Sequence, residues 1–275
     1  MKKAYVKSVI GILIGLYVGV CVGAWLIQDR LLYRPYNQPA DLSYARRDLP
    51  MIEEVSYPNV AGGQNYAWFV APQKQKKVVV FMHGNACNIG CFVPWVEPFV
   101  SAGYGVFMVE YRGFGGLQGR LGQKTFENDV LSAVAYLKGR GYKNRDLILY
   151  GYSLGTYMAT FTAYTLGQDE PFDAVILEAP FTTITDVAKD RVKHLLPVKW
   201  LLRDVYPSIQ HISHVNTRLF IGHGKQDTTV PYELGRTLFL SAKDPKMFFS
   251  SELATHTNLK RHGFTEAVLA WLNER

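Results

Sequence analysis

The chain has 275 residues, 48% hydrophobic and 19% charged, which supplies enough apolar material for a sizeable core and excludes a disordered chain. Its formal net charge of +7 is not gathered into a basic cluster interleaved with aromatics, so nucleic acid is not an expected partner. The excess of Lys and Arg suits attraction to anionic lipid head groups or plain surface solubility.

From Ser8 to Ile27 (SVIGILIGLYVGVCVGAWLI) no residue is charged. At 1.5 Å rise per residue, a helix of that length spans about 30 Å of hydrocarbon. The run exceeds the ~7–15 apolar residues of a cleavable signal peptide, and no small-x-small site precedes Gln28. Residues 1–28 therefore read as a retained anchor and the chain as a single-pass membrane protein. Lys2, Lys3 and Lys7 precede the span while Arg30, Arg34, Arg46 and Arg47 follow it, so the positive-inside rule gives little bias. The lysines sit closest to the span, which favours a cytoplasmic N-terminus with the downstream domain outside the cytoplasm. Gly11, Gly15, Gly19 and Gly23 recur every fourth residue, a bare stripe through which two copies could pair as a homodimer.

Residues 29–50 are expected to link this anchor to a domain over residues 51–275. Short apolar runs recur at Val78–Met82, Gly105–Val109, Leu147–Tyr150, Val175–Leu177, Leu219–Ile221 and Met247–Phe249, and read as buried strands. Ile52–Tyr57 and Asn65–Val70 should add antiparallel strands at one sheet edge. Helical patterns alternate with the runs at Thr125–Leu137, Tyr157–Thr165, Tyr232–Ser241 and Phe264–Leu272. This alternation predicts parallel βαβ units, helices on both faces of one sheet, and a binding crevice at the carboxyl ends of the strands. Residues 183–214 are too long for a plain connection and mix Leu195, Leu196, Val198, Trp200, Leu201 and Leu202 with Lys189, Arg191, Lys193, Lys199 and Arg203. A small helical cap divided by Pro197 and Pro207 is expected there, lying over the core or against a membrane surface.

Of the three cysteines, Cys21 lies in the apolar span, and Cys87 and Cys91 stand four apart with no second pair to suggest zinc. On a helix that spacing would put the two on one face, so a local bridge is conceivable, but free thiols are the expectation.

The predicted strand before residue 150 runs into Gly151, Tyr152, Ser153, Leu154 and Gly155 (GYSLG), and a helical stretch follows. In such a strand-to-helix turn the glycines leave room for a sharp bend that aims the serine oxygen into the crevice. A serine hydroxyl is a weak nucleophile at neutral pH and needs a base, held in the correct tautomer by a carboxylate. In this chain order the carboxylate comes next, and Asp227 in GHGKQDTTVP follows a late predicted strand. His256, in ATHTNL, is the histidine that follows the final strand and is the expected base. His262 should lie on a helix surface, and His194, His211 and His214 read as solvated side chains of the cap. An acyl-transfer transition state also needs donors for its oxyanion. The backbone N–H of Leu154 is one natural source, and Asn85 in FMHGN, after a glycine that permits close approach, is the other.

The set HGNACN (83–88), EYRGFG (110–115), GYSLG (151–155), LEAPFT (177–182), GKQDTTVP (224–231) and HTN (256–258) resembles the α/β-hydrolase superfamily. Within it, the chain is similar to the membrane-anchored branch related to bud-emergence proteins and serine-aminopeptidase-like hydrolases, over nearly everything after residue 30. The resemblance implies an α/β-hydrolase fold: a mostly parallel central sheet with helices on both faces, a small helical cap and an N-terminal transmembrane helix. It carries Ser153, Asp227 and His256 over as a catalytic triad, with Asn85 and Leu154 as oxyanion donors, and it does not carry a substrate. Cys87 and Cys91 stand where relatives often have Gly and a polar residue.

The expected activity is hydrolysis of carboxylic esters or thioesters with an apolar acyl group, through an acyl-enzyme, with no metal or cofactor. A serine peptidase using the same residues is the alternative enzyme; a membrane scaffold that keeps the fold without turnover is the non-enzymatic one.

Overall fold

The computed structural model describes residues 2–73, 77–192 and 196–274. A strand covered on both faces can be apolar at every position, and Val78–Met82 (VVVFM) and Gly105–Val109 (GVFMV) are buried along their whole length. They sit near the middle of one eight-stranded sheet. Its strands are β1 (Glu53–Pro58), β2 (Gln64–Val70), β3 (Val78–Met82), β4 (Gly105–Val109), β5 (Leu147–Tyr152), β6 (Ala174–Glu178), β7 (Leu219–Gly224) and β8 (Lys246–Ser251). Their spatial order is β8-β7-β6-β5-β3-β4-β2-β1. Strands β3 to β8 run parallel, while β1 and β2 pair antiparallel at one edge and β2 runs antiparallel to β4.

The longer helices are α1 (Lys2–Leu32), α2 (Val93–Ser101), α3 (Gln123–Gly139), α4 (Leu154–Leu166), α5 (Ile184–Val192), α6 (Tyr232–Ser241) and α7 (Phe264–Asn273). Side chains alternate along each strand, so Val78, Val80 and Met82 join Phe126 of α3, Met158 of α4 and Leu238 of α6 in one core. Val79 and Phe81 enter a second core on the opposite face, with Val96 of α2 and Val268 of α7. The loops after β3, β5, β7 and β8 consequently emerge at one end of the sheet, where parallel α/β sheets present their crevice.

The cap is helical. After α5 come two short helices, Val198–Leu201 and Ser208–Ile212, each preceded directly by a proline, Pro197 and Pro207. Lys193, His194 and Leu195 lie outside the described residues. His211 is half-buried rather than solvated, its ring stacked 4.5 Å from Tyr164 and close to Tyr157 and Phe161. His262 is half-buried in a short 3-10 turn before α7.

Helix α1 includes a 28-residue stretch, Tyr5–Leu32, whose most apolar 18-residue window has a mean hydropathy of 2.4, long and apolar enough to cross a membrane. A Cβ added at Gly11, Gly15, Gly19 or Gly23 would meet nothing, so the stripe faces open space. The far end of α1 is clasped by the cap. Gln28 is buried; its Nε2 donates to the Leu201 carbonyl (3.1 Å) and its Oε1 accepts from the Arg203 N–H (2.9 Å). Directly after the helix, Tyr33 is buried and donates to Asp204 at 2.7 Å. The following segment packs onto the domain: Arg34–Pro35 pairs with Ala86–Cys87, and Ala45, Leu49 and Ile52 enter the second core.

Cys87 and Cys91 form a disulfide, which corrects the expectation of free thiols. The two do not share a helix. Cys87 adopts φ +69° in the Ala86–Cys87 bridge, and the chain turns back so that the two Cα atoms are 6.3 Å apart, within disulfide reach. A bridge closing so short a loop is worth about 2 kcal/mol through the unfolded state. The Cys91→Ser variant is expected to unfold thermally at a lower midpoint than the oxidised wild type, and to lose nothing further on addition of reductant.

Candidate active site

Strand β5 delivers Ser153 into the turn before α4 at φ 52° and ψ −116°, a conformation that costs backbone strain in a non-glycine residue. The flanking glycines are steric necessities. A Cβ on Gly155 would drive into the Met82 carbonyl at the end of β3, and one on Gly151 into the backbone of Gly155. Surrounding hydrogen bonds hold the turn: the Ser153 N–H donates to the Glu178 carbonyl (2.9 Å), and Thr156 donates to the Ser153 carbonyl through its N–H (2.9 Å) and hydroxyl (2.5 Å).

The structure brings the three predicted side chains together. His256, in the loop after β8, places Nε2 3.0 Å from Ser153 Oγ and Nδ1 2.7 Å from Asp227 Oδ2. With Nδ1 donating to the carboxylate, Nε2 is free to accept the serine proton. Asp227 sits in the turn after β7, where its Oδ1 accepts from the N–H groups of Thr229 and Val230, both at 2.8 Å. Burial acts to raise the Asp227 pKa, but hydrogen bonds from His223 and His256, the charge of His256 and the Val230 N–H outweigh it. The carboxyl is held well below the usual range, so it stays ionised at neutral pH.

Two supports escaped sequence reasoning. His223, at the end of β7 and fully buried, lies with Nε2 3.2 Å from Asp227 Oδ2 and donates to the Val230 carbonyl at 3.0 Å. Its position four residues before Asp227 in GHGKQD was the available signal. Tyr152, the variable residue of GYSLG, donates its hydroxyl to the His256 carbonyl at 3.1 Å, which steadies the histidine loop; nothing in a G-x-S-x-G pattern announces that.

The two predicted oxyanion residues flank the serine. Leu154 is the first residue of α4, where a backbone N–H has no intrahelical acceptor. Gly84 approaches closely enough that a Cβ there would touch Ser153 Cβ at 3.4 Å and the Tyr152 ring at 3.1 Å. His83 Nδ1 donates to the Gly84 carbonyl (2.7 Å) while its Nε2 pairs with buried Glu110 (2.9 Å). In a trans peptide the Asn85 N–H points opposite to that carbonyl, and Asn85 lines the cavity. The Asn85 side-chain amide is engaged elsewhere, donating to the Leu32 carbonyl at the end of α1, and the Asn85 backbone carbonyl accepts from the Arg34 N–H at 3.1 Å.

These groups open onto a cavity of about 330 Å³. Its walls are mainly apolar: Leu31 and Leu32 from α1, Phe181 just before the cap, Ile184 and Val187 from the cap, and Val230. Among the described residues, the Lys, Arg, Asp and Glu side chains lining it are Arg34 and Arg191 alone.

The family model for serine aminopeptidase S33 matches residues 73–218, more than half of the chain. The chain belongs to this family. It is a serine hydrolase with the α/β-hydrolase fold. Among curated relatives, lysophosphatidylserine lipase ABHD12 of Danio rerio is 31% identical over 189 residues, 63% of this chain and 49% of the relative. ABHD12 of Macaca fascicularis is 30% identical over 204 residues, covering 68% of this chain and 51% of the relative. The chain thus spans about half the length of these lipases. It covers 84% of the Salmonella typhi protein YfhR, at 26% identity over 262 residues and 90% of this chain. Among solved structures, the esterase Pf2001 of Pyrococcus furiosus superposes with a TM-score of 0.70 at 17% identity, covering 87% of this chain and 97% of that one. A puromycin-hydrolyzing peptidase of Mycobacterium tuberculosis gives 0.63 at 16% identity, covering 80% and 38%. At such identities these superpositions establish the fold.

Behind the serine of this family member lies an unusual carboxyl. Glu178, fully buried at the end of β6, accepts from the Tyr150 hydroxyl (2.5 Å) and from Trp95 Nε1 (3.1 Å). Burial pushes its pKa up to about 7, against the opposing hydrogen bonds of Tyr150 and Trp95 and the charge of Lys260. Because the folded value lies above the ordinary 4.5, the stability contributed by the neutral carboxyl is full below pH 4.5 and is lost as pH rises through 7. Between pH 5 and 8 the Glu178→Gln variant should therefore gain on wild type by roughly 2–3 kcal/mol, measured by chemical unfolding at each pH.

Proposed function

We propose that this chain is a membrane-anchored esterase acting on amphiphiles that carry an apolar acyl group and an anionic head. Ser153 is the nucleophile, His256 the base and Asp227 the group that orients it; the N–H groups of Leu154 and Asn85 receive the oxyanion. The observation that carries the reading is the Ser153–His256–Asp227 chain opening into an apolar cavity walled by the last turn of α1.

Ser153 Oγ attacks the acyl carbonyl as its proton passes to His256 Nε2, and the negative charge formed on the carbonyl oxygen is met by the two backbone donors. His256 returns the proton to the leaving alcohol, an acyl-Ser153 ester remains, and a water activated by the same histidine releases the acid. The substrate chemistry follows from the cavity. An aminopeptidase must pair a free ammonium with a carboxylate, and no Asp or Glu is among the described residues lining it, whereas Arg34 and Arg191 suit a phosphate or carboxylate head. The lysophosphatidylserine lipase relatives, named for an anionic single-chain lipid, support the same direction. The Cys87–Cys91 disulfide supports a catalytic domain outside the cytoplasm, in keeping with Lys2, Lys3 and Lys7 on the inner side of the span.

The full chain in detergent or lipid vesicles is expected to label with a fluorophosphonate and to hydrolyse long-chain anionic monoacyl esters faster than amino-acid amides. Ser153→Ala should abolish both labelling and turnover. The double replacement of Arg34 and Arg191 by Ala should raise KM for the anionic ester while leaving that of a neutral ester alone. Faster cleavage of amino-acid amides would instead establish the peptidase. A folded wild type that neither labels nor turns over any ester would leave the scaffold reading.

Asn85→Ala separates side chain from backbone at the oxyanion loop. It removes the bond to Leu32 but keeps the N–H, so kcat should fall less than about tenfold, against the ~10²–10³ lost when a side-chain oxyanion donor is deleted.

A further inference from the structure

Trp200 is 83% exposed, the most exposed large apolar side chain among the described residues. It sits in the short cap helix Val198–Leu201, whose core-facing residue is Val198, and it does not line the cavity. Exposed Lys199 and Arg203 flank it, with Leu201 and Leu202 partly exposed beside them. An indole with neighbouring basic side chains is the composition that proteins place at the boundary between hydrocarbon and head groups.

The position of this turn is fixed relative to α1. Besides the two bonds from Gln28 to Leu201 and Arg203, the Arg203 guanidinium pairs with Asp29 at 2.7 Å and lies 5.3 Å from the centre of the Trp25 ring. The cap turn is therefore bolted to residues 25–29 of the helix. The uncharged run ends at Ile27, and its twenty residues span about 30 Å, so residues 25–29 fall where hydrocarbon gives way to head groups.

We propose that the Pro197–Arg203 turn of the cap is a second membrane contact. Trp200 inserts at the acyl–head-group boundary of the bilayer that α1 crosses, and Lys199 and Arg203 meet anionic lipid phosphates. The occupant is the bilayer because the exposed patch is continuous with the membrane-spanning surface of α1 and carries the complementary charge. This deepens the reading of α1 as an anchor and rests on it. The cavity, walled in part by Leu31 and Leu32 at the end of the same helix, then lies close to the bilayer, and an ester reaches Ser153 from the leaflet.

The test uses the full chain in vesicles of phosphatidylcholine and phosphatidylglycerol whose acyl chains are brominated near the head group. Wild type, Trp200→Phe and Trp25→Phe are compared by tryptophan emission. The emission removed by Trp200→Phe should be blue-shifted, quenched by the brominated lipid and protected from aqueous iodide, as should that removed by Trp25→Phe. If only the Trp25 contribution is quenched by lipid, the anchor stands and the second contact is overturned. If neither is, the membrane reading of α1 falls and takes the cap contact with it. Trp200→Ser should in addition slow hydrolysis of a vesicle-embedded long-chain ester by about fivefold while leaving a water-soluble short-chain ester unaffected. An equal loss on both substrates would also overturn the proposal.

Discussion

The site depends on how closely the first turn of α4 lies against the end of β3. The Met82 carbonyl occupies the space that a Cβ on Gly155 would need, so glycine there permits the close approach, two residues after Ser153 at φ 52°. With the helix seated there, its first residue Leu154 follows Ser153 directly and the Gly84 loop after β3 approaches the serine closely. A helix set farther from the sheet would separate Ser153 from that loop. The strain is offset by bonds to groups that cannot move independently, above all the Glu178 carbonyl one strand away.

From that point the polar supports run outward in layers that share few members. Asp227 is held by two N–H groups and by His223; the histidine loop is held by Tyr152; the Gly84–Asn85 peptide is oriented by His83 and, behind it, Glu110. Asp227, the histidine loop and the Gly84–Asn85 peptide each have their own buried partner. The geometry is therefore set by folding rather than by the arrival of a substrate.

How much of this could be read from the sequence follows from which interactions are local. The strands of the parallel sheet were legible because full burial makes them uniformly apolar, and Ser153 because its turn needs glycine at fixed offsets. Asp227 and His256 were found from chain order, which the fold imposes. The roles of His83, His223 and Glu178 were not legible, since a buried polar residue in an apolar run is defined by a partner that tertiary packing supplies. The disulfide was not expected because free thiols are the rule without a clear oxidising context, and the chain reversal at left-handed Cys87 that lets the two cysteines meet is not announced by their spacing. The stretch 29–50, which composition alone presents as a connector, carries Tyr33, Ala45 and Leu49 into the core.

That last feature has a spatial consequence. Leu32 ends the helix, and Tyr33 is already buried and hydrogen-bonded to Asp204, so no slack chain separates the span from the catalytic domain. An enzyme on a long flexible stalk can sweep a volume around its attachment point and reach a facing membrane or a soluble carrier. This one has no stalk. On the proposed reading of α1 as an anchor, Ser153 is held at a fixed height above one leaflet, and its supply is whatever diffuses laterally within that leaflet.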